Sequence, residues 1–217
     1  GWKILFSSIS GNIEEEQTVR LLQQMAIDAG FETGFEPLGG VKFDDEGIYD
    51  SSEEPYEYWF KLYPWEDIAI EEPELATQLT TIMQNQKAII LNPAYTLLFQ
   101  SKGMMKILCD LFPDSPYLLQ TSFEPLKGVQ HVEKRMFGRE GANVRIIDAA
   151  GSTLETNDGP YSNFKPIYQE YVEFPKDSQG NSYQAGVFFA YEACGLGFRR
   201  GGKILNNMSK FVGHVLR

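Results

Sequence analysis

His131-Val132-Glu133-Lys134-Arg135-Met136-Phe137-Gly138-Arg139-Glu140-Gly141-Ala142-Asn143-Val144-Arg145 is the densest run of polar chemistry in the chain. A lysine on a strand, a loop holding two glycines, an arginine and an asparagine, and then a second strand are what a flexible lid over phosphates requires. Gly138 and Gly141 let backbone approach an anion closely, Arg139 offers a planar fork of donors, and Lys134 sets a point charge behind it. A solvated hairpin of mixed charge uses the same letters, and the residues by themselves leave both readings open.

On the C-terminal side, short β-rich runs at 129–136, 144–148, 166–172, 183–197 and 203–206 alternate with glycine-containing turns and predict an antiparallel sheet. On the N-terminal side the pattern changes. Lys3-Ile4-Leu5-Phe6 reads as a strand, Ser10-Gly11-Asn12 as a turn and cap, and Glu14, Glu15 and Glu16 as the first turn of a helix that Gly30 stops. Val19, Leu22, Met25, Ala26 and Ala29 recur at helical spacing, and residues 31–38 supply a second strand. The Ser7 to Gly11 loop lacks GxGxxG or Walker spacing and reads as a plain connection, with a phosphate cradle as the alternative. Asp44 to Glu54 reads as a solvated linker without chemistry, the aromatic run 56–65 as packing, Lys87 to Leu91 as a buried strand, and residues 95–111 as one helix closed by Phe112-Pro113. The expected organisation is an α/β unit over residues 1–55 and a β-rich region over 56–217, with the lid around 117–150.

Composition narrows the function. Of 217 residues 42% are apolar and 13% aromatic, which makes the chain globular and excludes disorder, collagen or coiled coil as descriptions of the whole. With 19 Lys and Arg against 30 Asp and Glu, the formal charge of −11 repels a phosphate backbone, so nucleic acid is not an expected partner. No apolar run reaches the ~20 residues of a membrane span and no signal peptide opens the chain, so no membrane is expected and the setting reads as cytoplasmic. Cys109 and Cys194 have no CxxC spacing, and the only histidines are His131 and His214. Two buried reduced thiols are expected and a protein-built zinc site is not. The chain starts at Gly1 and Trp2 without an initiator methionine and reads as a piece of something longer.

Phe60-Lys61-Leu62-Tyr63-Pro64-Trp65-Glu66, Asn92-Pro93 through Lys102 to Leu111-Phe112-Pro113, Phe137-Gly138-Arg139-Glu140-Gly141-Ala142-Asn143-Val144, and Ile167-Tyr168-Gln169-Glu170 together resemble the C-terminal part of glutathionylspermidine synthase, in order and over nearly the whole chain. The likeness is closer to the acid-amine ligases of that family than to its bifunctional members. It implies an α/β, more specifically α+β, ATP-grasp-like fold: a small strand-helix-strand unit followed by a β-rich nucleotide-binding lobe. It implies an ATP-dependent carboxylate-amine ligase acting through an acyl phosphate, on a small-molecule acid and amine such as glutathione and a polyamine.

Carried over residue by residue, the resemblance makes Arg139 catalytic and assigns ATP binding to Lys102 and Lys134 at the phosphates. Glu140 and Gly141 belong to the covering loop, and Gln169, Glu170, Tyr171 and Val172 to the strand that reads adenine. Gln184 and a Lys203-Ile204-Leu205 strand complete the pocket, with Arg199 or Arg200 turned toward the phosphates. Glu14, Glu16 and Asp67 align near the acidic residues that hold substrate. The cofactors implied are ATP and Mg2+. The family's metal ligands, an Asp followed by Glu-x-Asn, are not found here; they are expected upstream, so the resemblance implies no metal ligand in this chain and an inactive chain by itself. A non-catalytic nucleotide-binding or scaffold module is the alternative.

Overall fold

The computed structural model describes residues 2–215. It divides after Leu98 into two units, each with its own sheets.

In the first unit, β1 (Lys3–Ser7) runs into α1 (Ile13–Asp28) and β2 (Glu32–Phe35). Asn12 caps α1: its Oδ1 accepts from Glu15 N at 3.2 Å, and Glu14, Glu15 and Glu16 lie at the positive end of the helix dipole. Gly30, at φ +89°, ends the helix, as Phe31 N donates back to Ala26 O. A three-stranded antiparallel meander follows, β3 (Lys42–Asp44), β4 (Gly47–Tyr49) and β5 (Pro55–Tyr56), and then β6 (Tyr58–Lys61), α2 (Trp65–Glu71), α3 (Pro73–Gln84) and β7 (Ile89–Leu91). The main sheet is all parallel, in the order β2-β1-β6-β7. Parallel strands buried on both faces read as continuous apolar runs, which is why Ile4-Leu5-Phe6 does not alternate. Leu5, Ile48, Trp59, Ile68, Leu79, Ile82 and Ile90 form one core cluster; Ile4, Phe6 and Val19 form another. Trp59 Nε1 donates to the buried Ser7 Oγ at 2.9 Å, satisfying the one polar atom of the ring.

Two expectations for this half are corrected. Residues 44–54 are not a solvated linker: Ile48 is fully buried, and Asp50 Oδ1 accepts from Ser52 N and Glu54 N, so the acidic residues fold a turn. The boundary after residue 55 also moves, because β6 and β7 pair into the sheet that β1 begins.

The division falls within α4 (Thr96–Gln100), and the second unit continues with α5 (Gly103–Leu111). The expected single helix over 95–111 is broken at Ser101-Lys102, where Lys102 N donates to Met136 O at 2.9 Å instead of continuing the helix. A Cβ on Gly103 would lie 2.6 Å from Met136 Cε, so a larger residue there would push the methionine tip aside. The strands β8 (Thr121–Ser122), β9 (His131–Arg135), β10 (Val144–Ile147), β11 (Thr153–Asn157) and β12 (Pro166–Glu170) form a sheet in the order β11-β10-β9-β12-β8. All its pairings are antiparallel.

A second antiparallel sheet holds β13 (Ser182–Ala190), β14 (Glu192–Gly201) and β15 (Lys210–Val212). The run expected as one strand over 183–197 folds back at Tyr191, φ +63°. Lys203-Ile204-Leu205 is a bend, not a strand, and the ladder partner of β14 lies further on at β15. Both cysteines are free, but neither is buried: Cys109 is half-buried and Cys194 exposed on β14.

Candidate functional site

A cleft of about 290 Å³ opens within the second unit. One wall comes from a single face of the sheet. In the antiparallel register Val132 stands opposite both Ile146 and Gln169, and Lys134 opposite Ile167, so Lys134 and Gln169 share that face as diagonal neighbours. Lys134 Nζ donates to Gln169 Oε1 at 2.8 Å, and Gln169 Nε2 donates to Thr121 Oγ1 at 3.2 Å. On the opposite face Glu133 pairs with Arg135 at 3.3 Å and Arg145 at 3.5 Å, so these two arginines are tied into the sheet.

Lys102 arrives at the cleft through the break before α5, and its Nζ donates to Gly138 O. Burial pushes the Lys134 ammonium below its ordinary pKa, and the Lys102 charge pushes it further; burial also lowers Lys102. Two partly desolvated cations near each other are electrostatically unsatisfied as a pair, and an anion between them would offset both the burial and the mutual repulsion.

The loop between β9 and β10 is fastened to its surroundings. Asn157 Nδ2 donates to Gly141 O at 2.8 Å, and Asn143 Oδ1 accepts from Tyr161 N at 2.6 Å. Glu140, Gly141 and Asn143 all have positive φ. A Cβ on Gly141 would lie 2.2 Å from Leu205 O, so only glycine lets the loop pack on that bend. The flexible lid expected from its glycines is, in this structure, a loop held at both shoulders.

Most of the residues that the resemblance assigns to ATP and catalysis line this one cleft: Lys102 and Lys134; Arg139, Glu140 and Gly141; Gln169 to Val172; Gln184; and Lys203 to Leu205. Arg199 and Arg200 do not line it. Arg199 Nη2 donates to Asn206 O and Ser209 O, and its guanidinium lies 5.3 Å from the Phe211 ring centroid. Glu14 and Asp67 lie in the first unit, Glu14 exposed on α1 and Asp67 half-buried on α2. Burial, and then Glu71, raise the Asp67 carboxyl. Glu16 pairs with Arg20 at 3.6 Å. Thr121, Asn157 and Tyr161 were missed; the signal that finds Thr121 is its pairing with Gln169, 48 residues along the chain. Among the described residues no group of three or more His, Cys, Asp or Glu is placed to hold a metal ion, and no helix is long and apolar enough to cross a membrane.

The arrangement of sheets is that of an ATP-grasp fold: the chain is similar to a solved structure of the ATP-grasp ligase PsnB complexed with minimal precursor, with a TM-score of 0.51 over 94% of this chain and 89% of that one. At 10% identity this likeness concerns the fold alone. The family described as glutathionylspermidine synthase preATP-grasp matches residues 1–217, and the chain belongs to that family. The chain is 26% identical over 190 residues to the bifunctional glutathionylspermidine synthetase/amidase of Escherichia coli K12, covering 76% of this chain and 30% of the relative. It is 27% identical over 216 residues to a putative acid--amine ligase of Haemophilus influenzae, covering 93% of this chain and 53% of the relative. The chain thus spans from under a third to about half the length of these curated relatives.

Proposed function

We propose that the protein is an ATP-dependent carboxylate-amine ligase and that the cleft of its second unit takes the nucleotide. The observation that carries this reading is the pair of desolvated lysines, Lys102 and Lys134, beside a loop that only Gly141 can form. Phosphates suit that end of the cleft. The strand residues Gln169 to Val172 suit the base, with polar and apolar surface together. In the reaction proposed, a carboxylate oxygen attacks the γ-phosphorus and ADP leaves; an amine nitrogen then attacks the acyl carbon, inorganic phosphate leaves and the nitrogen loses a proton. Such chemistry is carried by charge neutralisation and alignment, which is what lysines and an arginine such as Arg139 supply.

The acid and amine are proposed to be small molecules, glutathione and a polyamine among them, as the names of the relatives suggest. Glu14 and Asp67 are proposed to hold the amine, since carboxylates are the natural partners of an ammonium. Glu16, already paired with Arg20, is less suited. Mg2+ accompanies the nucleotide in this chemistry; among the described residues no group of three or more His, Cys, Asp or Glu is placed to hold a metal ion, and none of the roles above depends on one.

Calorimetric titration of this chain with ATP and Mg2+ tests the site. Weak binding that is lost in Lys134→Ala is expected, and no binding by the wild-type chain overturns the reading. In the presence of glutathione and a polyamine the chain by itself should release no phosphate above the Lys134→Ala control. Release well above that control would mean that this chain holds a complete catalytic site.

A further inference from the structure

Thr121 does not line the cleft, yet it ends a chain of hydrogen bonds that starts there. Lys134 Nζ donates to Gln169 Oε1 at 2.8 Å, Gln169 Nε2 donates to Thr121 Oγ1 at 3.2 Å, and Thr121 Oγ1 donates to Leu119 O at 2.9 Å. Every bond points the same way. Lysine has three donors and no acceptor, so it takes the amide oxygen of Gln169; Thr121 spends its single hydrogen on Leu119 O, so it offers Gln169 only lone pairs. Both ends therefore demand one orientation of the same amide. Thr121 is buried and stands directly opposite Gln169 across β8 and β12, so the hydroxyl is held by the sheet itself.

We propose that Thr121 is a positioning residue that sets which nucleobase the cleft accepts, by holding the Gln169 amide with its oxygen toward Lys134 and the cleft. An amide oxygen has two lone pairs. One takes Lys134; the other is available to an exocyclic amine, so a 6-aminopurine is favoured over a 6-oxopurine, whose oxygen would meet another acceptor. The inference rests on the ATP reading of the cleft. Without the Thr121 hydroxyl, Gln169 Nε2 loses its acceptor within the sheet, so the amide is held by Lys134 alone and its oxygen is no longer fixed toward an exocyclic amine in the cleft.

The test uses the full chain as wild type, Thr121→Val and Thr121→Ser. Affinities for ATP and inosine triphosphate come from displacement of a fluorescent ATP analogue, and solvent exchange of the Gln169 side-chain amide is followed by NMR without nucleotide. Thr121→Val should lower the preference for ATP by ~10-fold and speed the amide exchange, while Thr121→Ser, which keeps the hydroxyl, should retain both wild-type values. A Thr121→Val chain with the wild-type preference overturns the inference, as does a Thr121→Ser chain that loses it equally. If the wild type binds neither nucleotide, the base-selection proposal falls, and the exchange rate shows where. Faster exchange in Thr121→Val places the failure in the ATP reading; unchanged exchange places it in Thr121.

Discussion

Each unit draws a lysine out of water, Lys61 fully and Lys134 in part, and their surroundings differ. In the first unit Lys61 is 4% exposed; its Nζ donates to Tyr63 O at 2.7 Å and lies 4.1 Å from the Trp65 ring centroid. Burial lowers it to about 8. In the second unit Lys134 is also lowered by burial, but it lines an open cleft and has a second ammonium, Lys102, as a neighbour. A carbonyl and an aromatic face close Lys61 in. A perturbed lysine is therefore not by itself a mark of function. What sets Lys134 apart is a second ammonium beside it and an open cleft before it, and on that ground it is proposed to meet phosphate.

The comparison extends to glycines, where the largest effect is expected. Gly141→Ala should destabilise the second unit by about 3 kcal/mol or more, since the new Cβ meets backbone as well as an unfavourable φ of +69°. Gly30→Ala in the first unit has a similar φ of +89° but open space around the new Cβ, and should cost only about 1 kcal/mol. Denaturant unfolding followed by circular dichroism compares them. Equal losses would mean that Leu205 moves aside and that the loop is not built around Gly141.

Next in size is the pH dependence of Lys61. Its folded value of about 8 lies below the ordinary lysine value of 10.5, so between the two the unfolded chain binds more protons and stability rises with pH. The cost of burying the charge, on the order of 3 kcal/mol, is present in full below that window and is relieved through it. Lys61→Met should therefore be more stable than wild type near pH 7, with the advantage shrinking toward pH 10. The three tryptophans, Trp2, Trp59 and Trp65, all lie in the first unit, so urea unfolding followed by their fluorescence reads that unit. A difference that stays constant with pH would mean that Lys61 is solvated.

The contrast between the lysines becomes functional in the third prediction. Lys134→Ala should weaken ATP binding by ~10²-fold, and Lys61→Met should leave it unchanged, because a desolvated charge on a phosphate is worth ~2 to 3 kcal/mol. Titration calorimetry decides. Equal effects from the two would erase the distinction between a packed and a poised ammonium.

What the sequence made legible follows the same physical line. The resemblance to the glutathionylspermidine synthase family and the ATP-grasp fold both hold, since long motifs in fixed order survive where single residues drift. The strand-helix-strand start was readable because cap, acidic first turn and terminal glycine all agree locally. The helices α2 and α3 went unread behind the aromatic run that precedes them. The strand β11, Thr-Leu-Glu-Thr-Asn, was unreadable for another reason: it lies at a sheet edge with little burial, so no alternation records it. The turn at Tyr191 carries neither glycine nor proline, and Thr121 gains its meaning only from pairing with a strand far along the chain.

The smallest effect sharpens what holds the first unit together. Asn12→Ala removes the acceptor for Glu15 N and should cost about 1 kcal/mol, because that N–H must turn to water. Asn12→Asp keeps an acceptor and adds a negative charge at the positive end of the helix dipole, a gain of about 0.5 kcal/mol at low salt. The same charge stands beside Glu14, Glu15 and Glu16, where repulsion opposes the gain. Salt screens both charge effects and leaves the local hydrogen bond largely intact, so the sign of the salt dependence shows which is larger, and three carboxylates carry more charge than the roughly half charge of a helix end. Tryptophan-monitored urea unfolding of Asn12→Asp should therefore show stability rising from low to moderate salt relative to wild type, with Asn12→Ala remaining lower at every salt. An Asn12→Asp chain that loses stability with added salt would mean that the dipole term outweighs the three carboxylates.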